Sequence, residues 1–363
     1  MAKKLSSDIS LFAVTVALLG LGLVMVWSAS TALAKERHDN AYFFLIRQVI
    51  WCAVGLAAMV AAMRLDYRKL RQPVVVYSVV GATTVLLIAV LFAPTLNETH
   101  RWLRLGALSF QPSELAKLAV VLFLAYHLER KRDRVNEFLP SLFPALLLLG
   151  WFAFLVFIQP DLGTAATMVL VGAVMLFLAG VRLRYFAALS LPAMLFLYQA
   201  VMGAGYRRDR IEAFLNPNSD PRGSGYQIIQ SLIAVGTGGV HGVGLMEGRQ
   251  KLFYLPYPYS DFIYAVIGEE LGLLGAGAVV LAFVFFMWRG LRTAWRAPDP
   301  FGTYLAAGLT LAIVLQAFIN LSVVLGLLPA KGIPLPFISA GGSSLVLALV
   351  AVGLVLNVSQ HAD

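Results

Sequence analysis

Asp261 stands directly before the apolar run 262–287, at the end of a polar segment, 204–261, rich in glycine, arginine and proline. A carboxylate at such a border can take a proton from an attacking hydroxyl, or it can cap the helix that begins beside it. Position alone favours the cap. Cations recur along the same polar stretches: Arg101 before Trp102, the run Tyr206-Arg207-Arg208-Asp209-Arg210, Lys251 before Pro256, and Lys331 before Gly332. An arginine fork suits a lipid-linked phosphate. An arginine beside tryptophan suits plain anchoring among headgroups equally well.

Further charges fall inside apolar segments. Gln111-Pro112-Ser113-Glu114-Leu115-Ala116-Lys117 opens a helix with proline in its first turn and sets Glu114 and Lys117 on one face. Arg47 lies in another apolar run. Intramembrane charges tend to face a protein interior or a wet cavity. The simpler readings are an intrahelical Glu114–Lys117 pair and an Arg47 that snorkels to the headgroups. Lys117 is also a candidate partner for Asp261. Asp161, in Gln159-Pro160-Asp161-Leu162-Gly163, reads as a helix cap that can border the same cavity.

The elements that must position these groups are membrane spans. Hydrophobic residues make up 60% of the 363 positions and charged residues 13%, with a mean hydropathy of +0.80. A soluble domain of that composition would expose large apolar patches. The expectation is an all-α polytopic membrane protein with about ten transmembrane helices, near 10–33, 42–63, 73–93, 112–128, 139–158, 162–180, 184–203, 262–287, 302–325 and 343–360. The first apolar run is longer than a signal-peptide core and reads as the first span. Cys52, the lone cysteine, can form neither an internal disulfide nor a cysteine-based metal cluster.

Lys3, Lys4 and the basic clusters at 64–71, 130–134, 182–184 and 289–296 then share one side, against Lys35, Arg37, Arg101, Arg104 and Lys331 on the other. That bias puts both termini in the cytoplasm and the loop 204–261, between spans seven and eight, outside. The formal charge of +9 follows from the same bias and needs no nucleic-acid partner. Within the loop, 228–235 is too short to cross a bilayer and reads as a short amphipathic helix ended by glycine turns. The whole chain, 1–363, is read as one membrane domain.

These motifs together resemble the shape, elongation, division and sporulation family, which includes RodA, SpoVE and FtsW. The matching stretches are Arg101-Trp102, 110–117, 159–164, Gly225-Tyr226-Gln227 with Gln230-Ser231, 261–272 and 331–339. The run 206–210, the stretch 250–256 and Lys331 are more similar to the FtsW branch than to RodA. Tyr257 and Tyr259 stand where the family often has Glu and His, and Ala340 replaces a common tyrosine.

The resemblance implies a peptidoglycan glycosyltransferase that polymerises lipid II outside the cytoplasmic membrane, releases undecaprenyl diphosphate, and works with a class B penicillin-binding protein. It implies that Asp261 is the catalytic carboxylate, with Lys117, Glu114 and Arg47 in support. Candidate substrate- or diphosphate-binding residues are Arg101, Trp102, Arg207, Arg208, Arg210, Gln230, Lys251, Lys331 and Ser343. The expected chemistry is inverting glycosyl transfer, in which a diphosphate leaves as an anion and needs positive charge rather than a second acid. Mg2+ or Mn2+ can assist, with no tight protein site in the sequence. A lipid II flippase, an elongation-type polymerase and a division scaffold are the alternatives.

Overall fold

The computed structural model describes residues 7–93, 101–105 and 108–362; Lys3, Lys4 and the side chain of Arg104 lie outside what is described. Backbone polar groups in lipid must be satisfied within the segment, so long apolar runs become helices. All ten expected segments are helical: α1 (Ile9–His38), α2 (Phe43–Arg64), α3 (Pro73–Ala89), α4 (Pro112–Arg130), α5 (Phe143–Ile158), α6 (Leu162–Leu178), α7 (Leu183–Met202) and, after two shorter helices, three more. The shorter ones are α8 (Gly205–Leu215) and α9 (Tyr226–Gly238); α10 (Ile263–Trp295), α11 (Pro300–Val324) and α12 (Gly342–Ser359) follow.

Among the described residues, eight helices are long and apolar enough to cross a membrane, and α6 is a shorter apolar helix. α4 is enclosed by α3, α6 and α11. That setting suits its charges, because Glu114 and Lys117 are both buried. α11 is buried along most of its length, while α7 is exposed along nearly all of its own.

The fold is all-α as expected, apart from a small antiparallel hairpin, β1 (Leu103–Leu105) and β2 (Leu108–Phe110). One expectation needs correction. The run 262–287 is not one straight span. α10 breaks at Gly272, which has φ +65°, and a Cβ there would meet the Gly242 nitrogen at 2.3 Å. Only glycine satisfies both the left-handed backbone and that approach. The residues before the break, 263–270, are buried in protein rather than facing lipid. The short helix expected at 228–235 is α9, and the polar loop holds a second helix, α8, which carries the arginine run.

Candidate active site

Asp261 does not cap α10. The N-cap position belongs to Phe262, and no side chain hydrogen-bonds the first turn. What fixes the aspartate is its backbone. Asn320, on α11, donates through Nδ2 to the Asp261 carbonyl at 2.8 Å and to the Ile333 carbonyl at 2.7 Å. Ser339 Oγ donates to the Ser260 carbonyl at 2.5 Å, and the Ala340 amide donates to the Tyr259 carbonyl at 2.9 Å. One turn earlier on α11, Gln316 donates to the Pro334 carbonyl at 2.9 Å. The carboxyl group is thereby left to other work while the loop 331–340 straps its main chain in place.

Burial raises the Asp261 carboxyl from its ordinary value to about 6, partly opposed by a hydrogen bond from Ser260 and by the charges of Arg210 and Arg101. The carboxylate presses against Gly332, where a Cβ would lie 2.9 Å from its Oδ2. Gly332→Ala is therefore expected to displace the carboxylate and slow the reaction about tenfold with little change in folding. Single-turnover rates beside thermal unfolding check this; an unchanged rate contradicts the placement.

Gly332 lines a cavity of about 240 Å³ that also receives Arg101, Asp161, Arg207, Arg210 and Lys331. Its remaining wall is apolar and includes Leu197, Val201, Ile319 and Val323. Arg101 reaches it with Nε donating to the Gln159 carbonyl at 3.1 Å and Nη2 to the Pro160 carbonyl. Arg207 stacks 4.6 Å over Phe157 and donates to the Ala200 carbonyl at 2.8 Å. Arg210 leans on the Ala330 carbonyl at 3.4 Å. Burial lowers the Lys331 ammonium, Asp161 opposes that, and Arg210 adds to it. Asp161 accepts from the Thr164 amide at 3.1 Å and the Thr164 hydroxyl at 2.8 Å, so it both caps α6 and borders the cavity. Cationic donors and aliphatic side chains lining one cavity suit an amphiphile with an anionic head.

Other expected site residues lie elsewhere. Lys117 Nζ pairs with Glu114 at 2.9 Å and donates to Gln316 Oε1, so it does not pair with Asp261. Glu114 and Lys117 line a second, smaller cavity of about 40 Å³, and Lys117 bonds to Gln316, which in turn holds the Pro334 carbonyl. Lys251 is buried and bonded to Glu270 at 2.6 Å, Ser28 at 2.9 Å and the Met246 carbonyl at 2.9 Å. An ammonium has three donors, and all three are engaged; it cannot also serve a diphosphate. Arg208 is exposed and paired with Glu212 at 2.7 Å. Ser343 is buried at the start of α12 and accepts from the Gln111 amide at 3.2 Å.

Gln230 and Trp102 are half-buried and do not line the cationic cavity. Arg47 is exposed on α2, 5.8 Å from the Phe43 ring. Beside it Phe44 stacks on Tyr259 at 4.6 Å, two residues before Asp261. Sequence reasoning missed Asn320 and Gln316. Their signal was available, since two amides one turn apart inside an apolar run require a partner.

The chain is similar to known proteins over nearly its whole length. The FtsW/RodA/SpoVE family model, described as cell cycle protein, matches residues 9–363. A Geobacter sulfurreducens protein named "Probable peptidoglycan glycosyltransferase FtsW" is 45% identical over 359 residues, covering 98% of this chain and 95% of that protein. Stage V sporulation protein E of Bacillus subtilis is 43% identical over 361 residues, covering 99% of each. A chain from "Structural coordination of polymerization and crosslinking by a peptidoglycan synthase complex" superposes with a TM-score of 0.81 at 30% identity and 98% coverage of each chain. The Thermus thermophilus rod shape determining protein RodA gives 0.71 at 27% identity, covering 98% of this chain and 97% of that one.

Proposed function

The chain belongs to the FtsW/RodA/SpoVE family of cell cycle proteins, and from that membership we propose how its residues act as a peptidoglycan glycosyltransferase. Its substrate is lipid II, and Asp261 is the general base. The acceptor 4-hydroxyl attacks the anomeric carbon of the donor sugar and gives its proton to the Asp261 carboxylate. The new bond from oxygen to the anomeric carbon forms as the bond to the diphosphate oxygen breaks, and undecaprenyl diphosphate departs with the electron pair. Configuration at that carbon inverts.

The carrying observation is the approach of the Asp261 carboxylate to Gly332, where an added Cβ would lie 2.9 Å from Oδ2, at the wall of a cavity lined by Arg101, Arg207, Arg210 and Lys331. Base and anion site therefore adjoin. The cations stabilise charge that develops on the leaving diphosphate, and the apolar wall takes the start of the lipid tail. A Mg2+ or Mn2+ ion on the diphosphate would supply further charge. Such an ion would be held mainly by the diphosphate and by water.

The chain is an integral membrane protein. The distribution of Lys and Arg supports cytoplasmic termini and an outward-facing Asp261. Similarity to FtsW proteins favours a septal, division role beside a class B penicillin-binding protein that cross-links the glycan. The test supplies lipid II on the outer face of vesicles containing the protein and that partner. Glycan chains that depend on Asp261 are expected; movement of lipid II across the bilayer without polymer would favour a transporter.

A further inference from the structure

A third cavity lies at the opposite end of α4 from Glu114. It is a groove of about 760 Å³ bounded by Tyr77 of α3, Tyr126 and Arg130 of α4, Lys131, and Leu147 and Trp151 of α5. Leu147 and Trp151 are exposed, with relative exposures of 60% and 42%, so the groove has an apolar wall open to the surroundings. Its rim is basic. The Arg130 guanidinium lies 5.0 Å from the centre of the Tyr126 ring and donates to the Tyr126 hydroxyl at 2.6 Å, which fixes it at the mouth.

No Asp or Glu lines the groove. The neighbouring Glu129 is bonded to Arg71 at 2.9 Å. Among the described residues no carboxylate lies within ion-pair distance of Arg130 or Lys131. A basic rim above an aromatic and aliphatic wall matches an amphiphile with an anionic head, at the end of the bundle where positive charge collects.

We propose that this groove binds one anionic phospholipid of the cytoplasmic leaflet, with its phosphate at Arg130 and Lys131 and an acyl chain along Leu147 and Trp151. The proposal rests on the orientation given above for the termini. It concerns a site separate from the Asp261 cavity, so the two can fail independently. Charge at the rim selects phosphatidylglycerol over phosphatidylcholine, and the apolar wall selects a lipid over a free phosphodiester.

The test uses full-length protein in nanodiscs of phosphatidylcholine doped with phosphatidylglycerol, with retained lipid counted by native mass spectrometry. Two rim charges at about 1 kcal/mol each predict a roughly 30-fold loss of phosphatidylglycerol preference in Arg130→Gln/Lys131→Gln. Arg132→Gln/Arg134→Gln removes equal charge from exposed positions outside the groove and is expected to leave the preference intact. Equal loss in both variants would mean a diffuse field and would overturn the site. As a second measurement on the unaltered protein, phosphatidylglycerol is expected to raise Tm. Phosphatidylcholine or glycerophosphoglycerol raising it as much would overturn the proposal, even if the variants fail to fold.

Discussion

Asp261→Asn is expected to lower lipid II polymerisation about 10²- to 10⁴-fold, the range for removing a positioned general base, and to raise rather than lower thermal stability. The second half follows from the geometry. Capping would make the aspartate stabilising, but α10 starts without a side-chain cap. The clasp to Asn320 uses the Asp261 carbonyl, which asparagine keeps.

The ionised carboxylate is unfavourable in its buried setting. Its pKa rises from 3.8 to about 6 on folding, so between those values the folded state binds more protons than the unfolded one. Stability contributed by protonation is present below pH 3.8 and is lost as pH rises through about 6. At neutral pH a neutral amide avoids that cost, a gain of about 1–2 kcal/mol after discounting for partial exposure. Polymerisation assays and thermal unfolding of the same preparation check both halves. A fall in Tm would restore the capping role, and retained polymerisation would remove the catalytic one.

Lys251→Met is expected to destabilise the protein by about 3–5 kcal/mol, because it strands a buried carboxylate. Glu270 is fully buried and accepts from Lys251 at 2.6 Å, from Ser28 at 2.7 Å and from the Met246 amide at 3.1 Å. The lysine thereby ties the glycine-rich turn before it to α1 and to the buried start of α10. Replacing both partners, Lys251→Met with Glu270→Met, is expected to recover part of the loss, since no uncompensated charge remains. Denaturation of the two single variants and the double variant forms the cycle that measures the coupling. A Lys251→Met protein of normal stability with a raised KM for lipid II would instead support the diphosphate role expected from sequence.

The helices were legible because apolar length is a local property: every expected segment is helical, and among the described residues eight of them are long and apolar enough to cross a membrane. Asp161 was legible for the same reason, since its partner Thr164 is three residues away. Position alone favoured a cap at Asp261, because an acid before an apolar run usually is one, and only the family resemblance pointed to a catalytic carboxylate. Here helical bonding begins at Ile263, and Phe262 occupies the cap position between them. Lys251 looked like a free loop cation because Glu270 and Ser28 come to it only through tertiary packing.

Glu269 and Glu270 inside an expected span were a warning that this stretch is enclosed by protein. Glu269 accepts from the Arg249 and Gln250 amides at 2.8 and 3.1 Å. A lipid-facing helix offers no such donors. The family motifs pointed to Asp261, while the convergence of Arg101, Arg207, Arg210 and Lys331 required the fold.

The central claim is that Asp261 acts as an ionised base poised near pH 6, and the pH dependence of kcat/KM for lipid II reads it most directly. A carboxylate that must be deprotonated gives a rate that falls about tenfold per pH unit below its pKa and levels off above it. The native protein is expected to show that limb with an apparent pKa of about 6. The small residual rate of Asp261→Asn is expected to lack it. A limb near pH 6 that persists in Asp261→Asn, or a native profile flat from pH 5 to pH 8, would contradict the assignment.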